Sequence, residues 1–313
     1  MHVTSNDLHT YALVLAQTLV QADRNRYPEG KIRSILERLM GLLGTSGWFT
    51  QTCCQESRYL QPHNGARIEA IRQAIEIECD GDEILRAILL YSLMIAADKV
   101  DSTTGIQMAY LKRWAPRSYK PLKLELPPLL AGGGEALQAD ALEVAGSLRA
   151  DLFYLDPPYN QHSYLGNYHL WETLVRWDQP PTYGVARKRT EVQERRSPFN
   201  SRRQAKGAME RLLASIQARH LLVSFNDEGF FSTAEITAML GEWGYVTCLR
   251  RAHRRYVGAR IGIYNPKGEK VGQVSHTENQ EFLFVATHSR KVHRVLKPLE
   301  DETFKPERET QNA

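Results

Sequence analysis

The chain has 313 residues, of which 42% are hydrophobic and 24% are charged, and its formal net charge is +4. These are ordinary values for a globular protein, and the charge supports no more than a mild overall attraction to polyanions. The longest apolar stretch, residues 84–97, contains Arg86 and is too short to span a bilayer. The length predicts either one large domain with an insert or two domains.

The cysteines and the amino terminus bear on the cellular compartment. None of the four cysteines (Cys53, Cys54, Cys79 and Cys248) pairs at zinc-ligand spacing, and the adjacent Cys53 and Cys54 are poor disulfide candidates. Residues 1–11 lack the basic region and apolar core of a signal peptide. We therefore predict a reduced, soluble cytoplasmic protein with no membrane segment and no metal site.

The amino-terminal half has mainly helical patterns. Residues 3–5 predict the end of a strand that runs into Asn6 and Asp7, and residues 11–20 predict a buried helix. Residues 23–128 continue the helical pattern, with a second helix at 82–97 behind a capping segment at 79–81. A stripe at helical spacing (Ile68, Ile71 and Ile75) marks a buried face, and a connector rich in proline and glycine follows (Pro116, Pro121, Pro127, Pro128 and residues 132–134).

After this connector, strands alternate with helices. Strands are predicted at 151–155, 221–225, 245–249 and 281–286, with a hairpin around 265–268. Helices are predicted at 141–148, 205–218 and 232–243, the last opened by a capping box from Ser232 to Glu235. This alternation indicates an α/β fold with a parallel sheet covered on both faces. The charged residues 289–313 predict a disordered tail.

The strand at 151–155 ends in Asp156-Pro157-Pro158-Tyr159. Because proline has no N–H to donate, this segment must be a stiff loop at the carboxyl end of a strand, where open α/β sheets bind ligands. The Asp156 carboxylate and the Pro157 carbonyl suit the two N–H groups of a planar exocyclic amine, and Tyr159 suits stacking on its ring. A simple proline stop after a core strand is the alternative interpretation.

This loop resembles the catalytic motif of the DNA adenine-N6 methyltransferases. Residues 160–174, 224–227 and 253–262 resemble its continuation in a bacterial modification-methylase branch, so the resemblance covers essentially the whole chain. It implies a Rossmann-like methyltransferase sheet. It also implies an enzyme of restriction–modification, with S-adenosylmethionine as cofactor and a flipped adenine in double-stranded DNA as substrate. It also implies a catalytic loop (Asp156, Pro157, Pro158 and Tyr159) and an adenine pocket lined by residues 160–168 (among them Asn160, Tyr164 and Tyr168).

Two further acids follow predicted strands. Asp7 matches the position that hydrogen-bonds ribose hydroxyls in nucleoside-binding α/β folds. Asp140 resembles the family residue that contacts the adenine amino group of the cofactor, although a helix cap stays open as its role. We predict that Asp7, Asp140 and Asp156 converge at the carboxyl edge of one parallel sheet and form the cofactor-binding set.

The glycine-rich part of a cofactor site is absent from the sequence. Such a turn lies about twenty residues before the ribose acid, whereas only six residues precede Asp7. The Gly-x-Lys element that the resemblance implies is missing too. We therefore expect an amino-terminally incomplete catalytic domain, and a separately encoded amino-terminal fragment is a candidate partner.

Two basic segments are candidate DNA contacts. Residues 187–206 carry eight basic and two acidic side chains, and residues 249–260 carry five arginines and no acid. Such clusters suit phosphate contacts, with solvated loops as the alternative. The predicted contacts are Arg187, Lys188, Arg189, Arg202, Arg203, Arg254, Arg255 and Tyr256.

These interpretations divide the chain by role. Residues 1–22 begin the catalytic domain with its second strand and helix, 23–128 are a helical insert and candidate target-recognition region, 129–288 are the catalytic methyltransferase domain, and 289–313 are the tail. Two other functions stay open: an RNA adenine-N6 methyltransferase with the same loop, and a non-catalytic DNA-binding remnant or subunit. The large insert favours duplex DNA over RNA.

Overall fold

The computed structural model describes residues 1–254, 263–264, 270–272 and 278–301. The chain divides into two compact units, residues 1–141 with 164–195 and residues 142–163 with 196–313. These units do not follow the division by role at residues 23, 129 and 289, which stays a prediction.

The secondary structure is a mixture of helices and strands, as predicted. The helices are α1 (Thr10–Ala16), α2 (Glu29–Met40), α3 (Trp48–Thr50), α4 (Pro62–Glu78), α5 (Glu83–Asp98), α6 (Ala141–Val144), α7 (Tyr164–Arg176), α8 (Glu191–Glu194), α9 (Ala205–Ser215), α10 (Thr233–Trp243) and α11 (Arg290–Leu296). The strands are β1 (Thr4–Asp7), β2 (Glu135–Gln138), β3 (Arg149–Leu155), β4 (Thr182–Tyr183), β5 (Lys188–Arg189), β6 (Gln217–Asn226), β7 (Tyr245–Arg254), β8 (Ile263–Tyr264), β9 (Lys270–Gly272) and β10 (Glu278–Thr287).

The helices of the first unit surround a large apolar core. The predicted stripe of Ile68, Ile71 and Ile75 on α4 is fully buried. Asp82 caps α5, since its Oδ1 accepts from the backbone N–H groups of Ile84 and Leu85. The prediction of helix up to residue 128 is wrong beyond α5, where a 3₁₀ turn at Pro116–Tyr119 is the only helical element before β2 in the described chain. Serine, threonine, glycine and proline interrupt the helical pattern there.

A parallel pair of strands, β1 and β2, also lies in the first unit. Their register pairs Thr4 with Glu135 and Asp7 with Gln138, so both strands end at the same edge. Gly134 leads into β2, and a Cβ atom at this position would overlap the carbonyl oxygen of Val3. The last of the three connector glycines is therefore needed for close backbone packing.

The second unit contains a four-stranded sheet in the order β3-β6-β10-β7. Strand β3 is parallel to β6, whereas β10 is antiparallel to both β6 and β7. The predicted all-parallel sheet is therefore wrong: the fold is α/β with a mixed sheet, because β10 follows β7 in the chain and returns beside it. Of the predicted hairpin, β8 and β9 pair antiparallel, and residues 265–269 lie outside the described residues.

Strand β3 lies at the open edge of this sheet. Leu152 and Tyr154, which share one face of β3, are 48% and 59% exposed. The prediction that both faces of the sheet are covered is therefore wrong at this strand. Strands β1 and β2 form a separate hydrogen-bonded sheet in the described residues, rather than part of one continuous sheet.

The predicted tail begins with the helix α11. The Ser289 hydroxyl accepts from the Val292 N–H at the start of α11, and the ring of His293 stacks on that of Tyr245, with centroids 5.3 Å apart. This cap and this ring contact attach α11 to the sheet, and disorder of the tail stays a prediction. Within the described residues, no helix is long and apolar enough to cross a membrane.

Candidate active site

The loop Asp156–Tyr159 follows the carboxyl end of β3 and has no regular secondary structure. The ring of Tyr159 lies 5.6 Å from that of Phe225, which is near the end of the neighbouring strand β6. The Tyr159 carbonyl oxygen accepts from the Phe230 N–H at 2.8 Å. The aromatic residue of the loop is thus fixed through both its ring and its backbone.

Asn226, the last residue of β6, also holds Tyr159. Its side chain is 4% exposed and hydrogen-bonds the Tyr159 hydroxyl, while its Oδ1 accepts from the Glu228 N–H at 3.0 Å. No role was predicted for Asn226 from the sequence. The segment Ser224-Phe-Asn-Asp227 was part of the family resemblance, but only the fold reveals that Asn226 supports the loop.

Burial governs the electrostatics of the loop. Burial raises the pKa of the Asp156 carboxyl, although its side chain keeps access to solvent. Burial, together with the nearby charge of Glu281, also raises the pKa of the Tyr159 hydroxyl. Tyr159 therefore stays neutral, and Asp156 accepts a proton more readily than an ordinary aspartate.

The residues after the loop are held by a second asparagine. Asn160 Oδ1 accepts from the His162 N–H at 3.0 Å in a local turn. The Asn200 Nδ2 donates to the carbonyl oxygens of Asn160 and His162 at 2.8 and 3.0 Å. Asn160 thus shapes the loop, and its contact with DNA stays a prediction.

The two cofactor acids of the first unit lie at one edge. Asp7 ends β1 with an exposed side chain, and its Oδ1 accepts from the His9 N–H at 2.8 Å. The Ala139 N–H donates to the Asp7 carbonyl at 3.1 Å, which extends the strand pairing to the residue before Asp140. The structure therefore brings Asp7 and Asp140 together. Asp140 directly precedes α6, so a helix cap stays open as its role, and convergence with Asp156 of the second unit stays a prediction.

The two tyrosines predicted to line the adenine pocket lie on α7 in the first unit. The rings of Tyr164 and Tyr168 are nearly parallel, with centroids 6.3 Å apart, and Tyr168 also packs on Tyr11 at 5.7 Å. Tyr168 has non-helical backbone angles, φ −128° and ψ 26°, so α7 is kinked there. These half-buried rings form an aromatic row, and their contact with a base stays a prediction.

The structure contradicts one predicted phosphate contact. Arg189 is 1% exposed, and its guanidinium binds both carboxylate oxygens of Asp178 at 2.7 Å and Glu191 at 2.9 Å. Its charge is therefore already neutralised inside the protein. Of its neighbours, Arg187 pairs with Glu56 at 3.1 Å, and burial lowers the pKa of the half-buried Lys188.

The other basic residues differ in exposure. Arg202 and Arg203 are exposed, and neither forms an ion pair within the described part of the chain. Arg254 ends β7, but its side chain, like Arg255 and Tyr256 entirely, lies outside the described residues. Arg202 and Arg203 are thus the predicted contacts whose geometry best suits a phosphate backbone.

Comparisons with known proteins bear on the identity of this site. The model of the D12 class N6 adenine-specific DNA methyltransferase family matches residues 1–239. The chain is 28% identical to the type II methyltransferase M.NlaIII of Neisseria lactamica, over 90% of this chain and 85% of that protein. It is 31% identical to the modification methylase StsI of Streptococcus sanguinis, over 66% of this chain but only 33% of that protein.

A third relative, the type II methyltransferase M.CviAII of Paramecium bursaria Chlorella virus 1, is 27% identical over 80% of this chain and 77% of that protein. No solved structure matches the chain. The family match includes both the β1–β2 edge and the Asp156–Tyr159 loop. The chain therefore belongs to the D12 class of N6 adenine-specific DNA methyltransferases.

Proposed function

We propose that this chain transfers a methyl group from S-adenosylmethionine to N6 of an adenine flipped out of double-stranded DNA, as the modification enzyme of a type II system in the cytoplasm. The observation that carries the proposal is the Asp156–Tyr159 loop at the carboxyl end of β3, with Tyr159 supported by Phe225 and Asn226. Enzymes that act on a base within a duplex take it out of the stack into such a pocket.

The loop suits an exocyclic amine. The Asp156 carboxylate and the Pro157 carbonyl accept the two N–H groups of adenine N6, while Tyr159 stacks on the purine ring. This arrangement directs the nitrogen lone pair out of the ring plane, where it would form the new N–C bond as the bond between the methyl group and the cofactor sulfur breaks and leaves that sulfur neutral. The amine then loses one proton, and Asp156, whose pKa is raised by burial, is the proposed acceptor.

The β1–β2 edge suits the nucleoside end of the cofactor. The exposed Asp7 carboxylate at the end of β1 matches a ribose diol, and Asp140 beside it matches the adenine amino group. When bound, the cofactor supplies an electrophilic methyl group on a positively charged sulfur. The chain's own contribution is to orient that nucleoside and to hold the amine.

We propose that the described strands belong to a Rossmann-like sheet and that a separately encoded segment supplies a further strand. The open edge of β3, with Leu152 and Tyr154 exposed on one face, supports this proposal. Calorimetric titration of S-adenosylmethionine into the 313-residue chain, alone and with the segment encoded upstream, tests it. Tighter binding with the segment is expected, and equally tight binding without it would refute the proposal.

DNA contacts are divided between backbone attachment and sequence recognition in this proposal. Arg202 and Arg203 contact phosphates, which gives affinity with little sequence information. Sequence recognition is assigned to the helical region at residues 23–128. The proposed substrate of the enzyme is duplex DNA. Methyl transfer to RNA but not to DNA would favour the RNA adenine-N6 methyltransferase instead.

The test is methylation of duplex DNA with methyl-labelled cofactor, followed by mass spectrometry of the digested nucleosides. In any preparation that forms N6-methyladenine, Asp156→Ala is expected to abolish transfer and to leave DNA affinity within about a factor of two, because affinity comes from many phosphate contacts. The matched control is Asp151→Ala on the same strand, whose side chain is 87% exposed, and it is expected to keep full activity. Parallel loss of binding and transfer in Asp156→Ala would show that Asp156 is structural.

A further inference from the structure

A buried glutamate on α7 binds the start of α1. Glu172 is 0% exposed, and its two carboxylate oxygens accept from the backbone N–H groups of Thr10 at 3.3 Å and Tyr11 at 3.0 Å. Charge-assisted hydrogen bonds to a helix amino terminus are favourable, because the unpaired N–H groups there carry partial positive charge. A buried carboxylate is costly unless it is paired, and the Arg176 guanidinium, 3.7 Å from Oε1, shares this role with the two N–H groups.

In the part of the chain that the structure describes, no other side chain caps helix α1 at this end. Its N-cap residue is His9, which makes no capping hydrogen bond. Only two residues separate Asp7, where β1 ends, from Thr10, where α1 begins. The position of the helix start therefore determines where the Asp7 carboxylate lies.

The turn between them is anchored from two sides. On one side, Gln138 Nε2 at the end of β2 donates to the Leu8 carbonyl at 3.2 Å and to the Thr10 hydroxyl at 3.1 Å. On the other side, Glu172 holds the N–H groups of Thr10 and Tyr11. Asp7 adds an internal bond, since its Oδ1 accepts from the His9 N–H. Removal of Glu172 would leave the turn held only by Gln138 and by the internal bond to Asp7.

We propose that Glu172 is a positioning residue of the cofactor site, which fixes the Asp7–Thr10 turn so that the Asp7 carboxylate meets the ribose of S-adenosylmethionine. This inference rests on the proposed cofactor role of Asp7. It adds a residue that touches neither cofactor nor substrate and acts through the backbone of the turn.

The chain offers a matched control for the loss of a buried capping carboxylate. Glu69 is 3% exposed and accepts from the N–H groups of Gly47, Phe49 and Thr50 at 2.8, 3.2 and 3.0 Å. It holds the start of the short helix α3, and its hydrogen bonds all go to residues 47–50 rather than to the β1–β2 edge. Glu172→Gln and Glu69→Gln are thus the same chemical change at two helix starts, and only the first lies behind a proposed cofactor residue.

The experiment measures cofactor affinity by calorimetry, and KM against kcat, for the wild type, Glu172→Gln, Glu69→Gln and Asp7→Ala. Glu172→Gln is expected to weaken S-adenosylmethionine binding about tenfold, the effect of one charge-assisted hydrogen bond. Its KM for the cofactor rises while kcat stays within a small factor. Glu69→Gln is expected to lower the melting temperature comparably without changing cofactor affinity. Equal cofactor affinities in Glu172→Gln and the wild type would overturn the proposal, as would equal weakening by Glu69→Gln.

Two further readouts separate this proposal from the proposed function. Hydrogen exchange without any ligand should show faster exchange at the Thr10 and Tyr11 amides in Glu172→Gln, and unchanged exchange there would overturn the positioning role. In the double variant with Asp7→Ala, Glu172→Gln should weaken binding no further. If Asp7→Ala alone leaves cofactor affinity unchanged, the proposed role of Asp7 fails, whatever the exchange data show.

Discussion

Replacement of Arg189 separates a structural arginine from a DNA-binding one within the same basic segment. Arg189→Met keeps much of the side-chain volume but removes the charge that binds Asp178 at 2.7 Å and Glu191 at 2.9 Å. Breaking a buried ion pair costs about 3–5 kcal/mol, because the remaining charge has lost its partner. Asp178 and Glu191 are 29% and 21% exposed and both keep an ion pair with Arg176, so the expected cost is at the lower end of this range, about 3 kcal/mol.

Urea denaturation followed by circular dichroism measures this cost. With a slope of roughly 2 kcal/mol per molar urea, the midpoint should fall by about 1.5 M. The matched control is Arg202→Met, an exposed arginine whose replacement should change stability by no more than about 0.5 kcal/mol.

For DNA binding, Arg202→Met should have the larger effect and Arg189→Met the smaller one. Arg202→Met is expected to lower the slope of log affinity against log salt by about one unit, since one phosphate contact is lost. Arg189→Met should leave this slope unchanged in conditions where the protein stays folded. A normal urea midpoint combined with a reduced salt slope in Arg189→Met would refute the assignment of Arg189 to the protein interior.

Three further predictions concern the catalytic loop. The raised pKa of Asp156 places the acidic limb of the kcat/KM profile above the ordinary aspartate value of about 3.9, and activity is lost as the pH falls through this limb. In methylation assays across pH, Asp156→Asn should remove the limb. An unchanged limb would assign it to another group. Gly229→Ala should lower the free energy of unfolding by about 1–3 kcal/mol and reduce kcat, because the added Cβ would overlap the Phe225 ring; thermal unfolding with unchanged stability would contradict this. Asn226→Ala should reduce methylation about tenfold by releasing Tyr159, with DNA affinity retained in binding assays; full activity would exclude Asn226 as support for the ring.

Local sequence patterns predicted much of this molecule. The capping box at Ser232 and Glu235 is present, because side-chain and backbone groups a few residues apart decide it. Asp82 at the start of α5 is predictable for the same reason. The loop at Asp156 lies at a strand end as expected, since two prolines end the ladder irrespective of the surrounding fold.

Features that depend on distant partners were not predictable from such patterns. Strand direction in the four-stranded sheet depends on which strand β10 joins, and a single strand's sequence does not encode that choice. Asn226 and Glu172 gain their roles only when the fold brings them against Tyr159 and the start of α1. Periodicity reports which face of an element is buried, but it does not report the partner of a buried polar group.

The basic segment shows why charge density alone misidentifies a DNA contact. A cluster of arginines raises the local positive potential, yet a phosphate can bind only a guanidinium that still reaches solvent and has no carboxylate already bound to it. Arg189 fails both conditions, because Asp178 lies eleven positions before it and Glu191 two positions after it. Arg202 and Arg203 meet them, since both are exposed on the segment before α9. Both acids are visible in the sequence, where they only lower the net charge of the segment. The fold turns the chain back between α7 and β5, and it thereby shows that both acids bind Arg189.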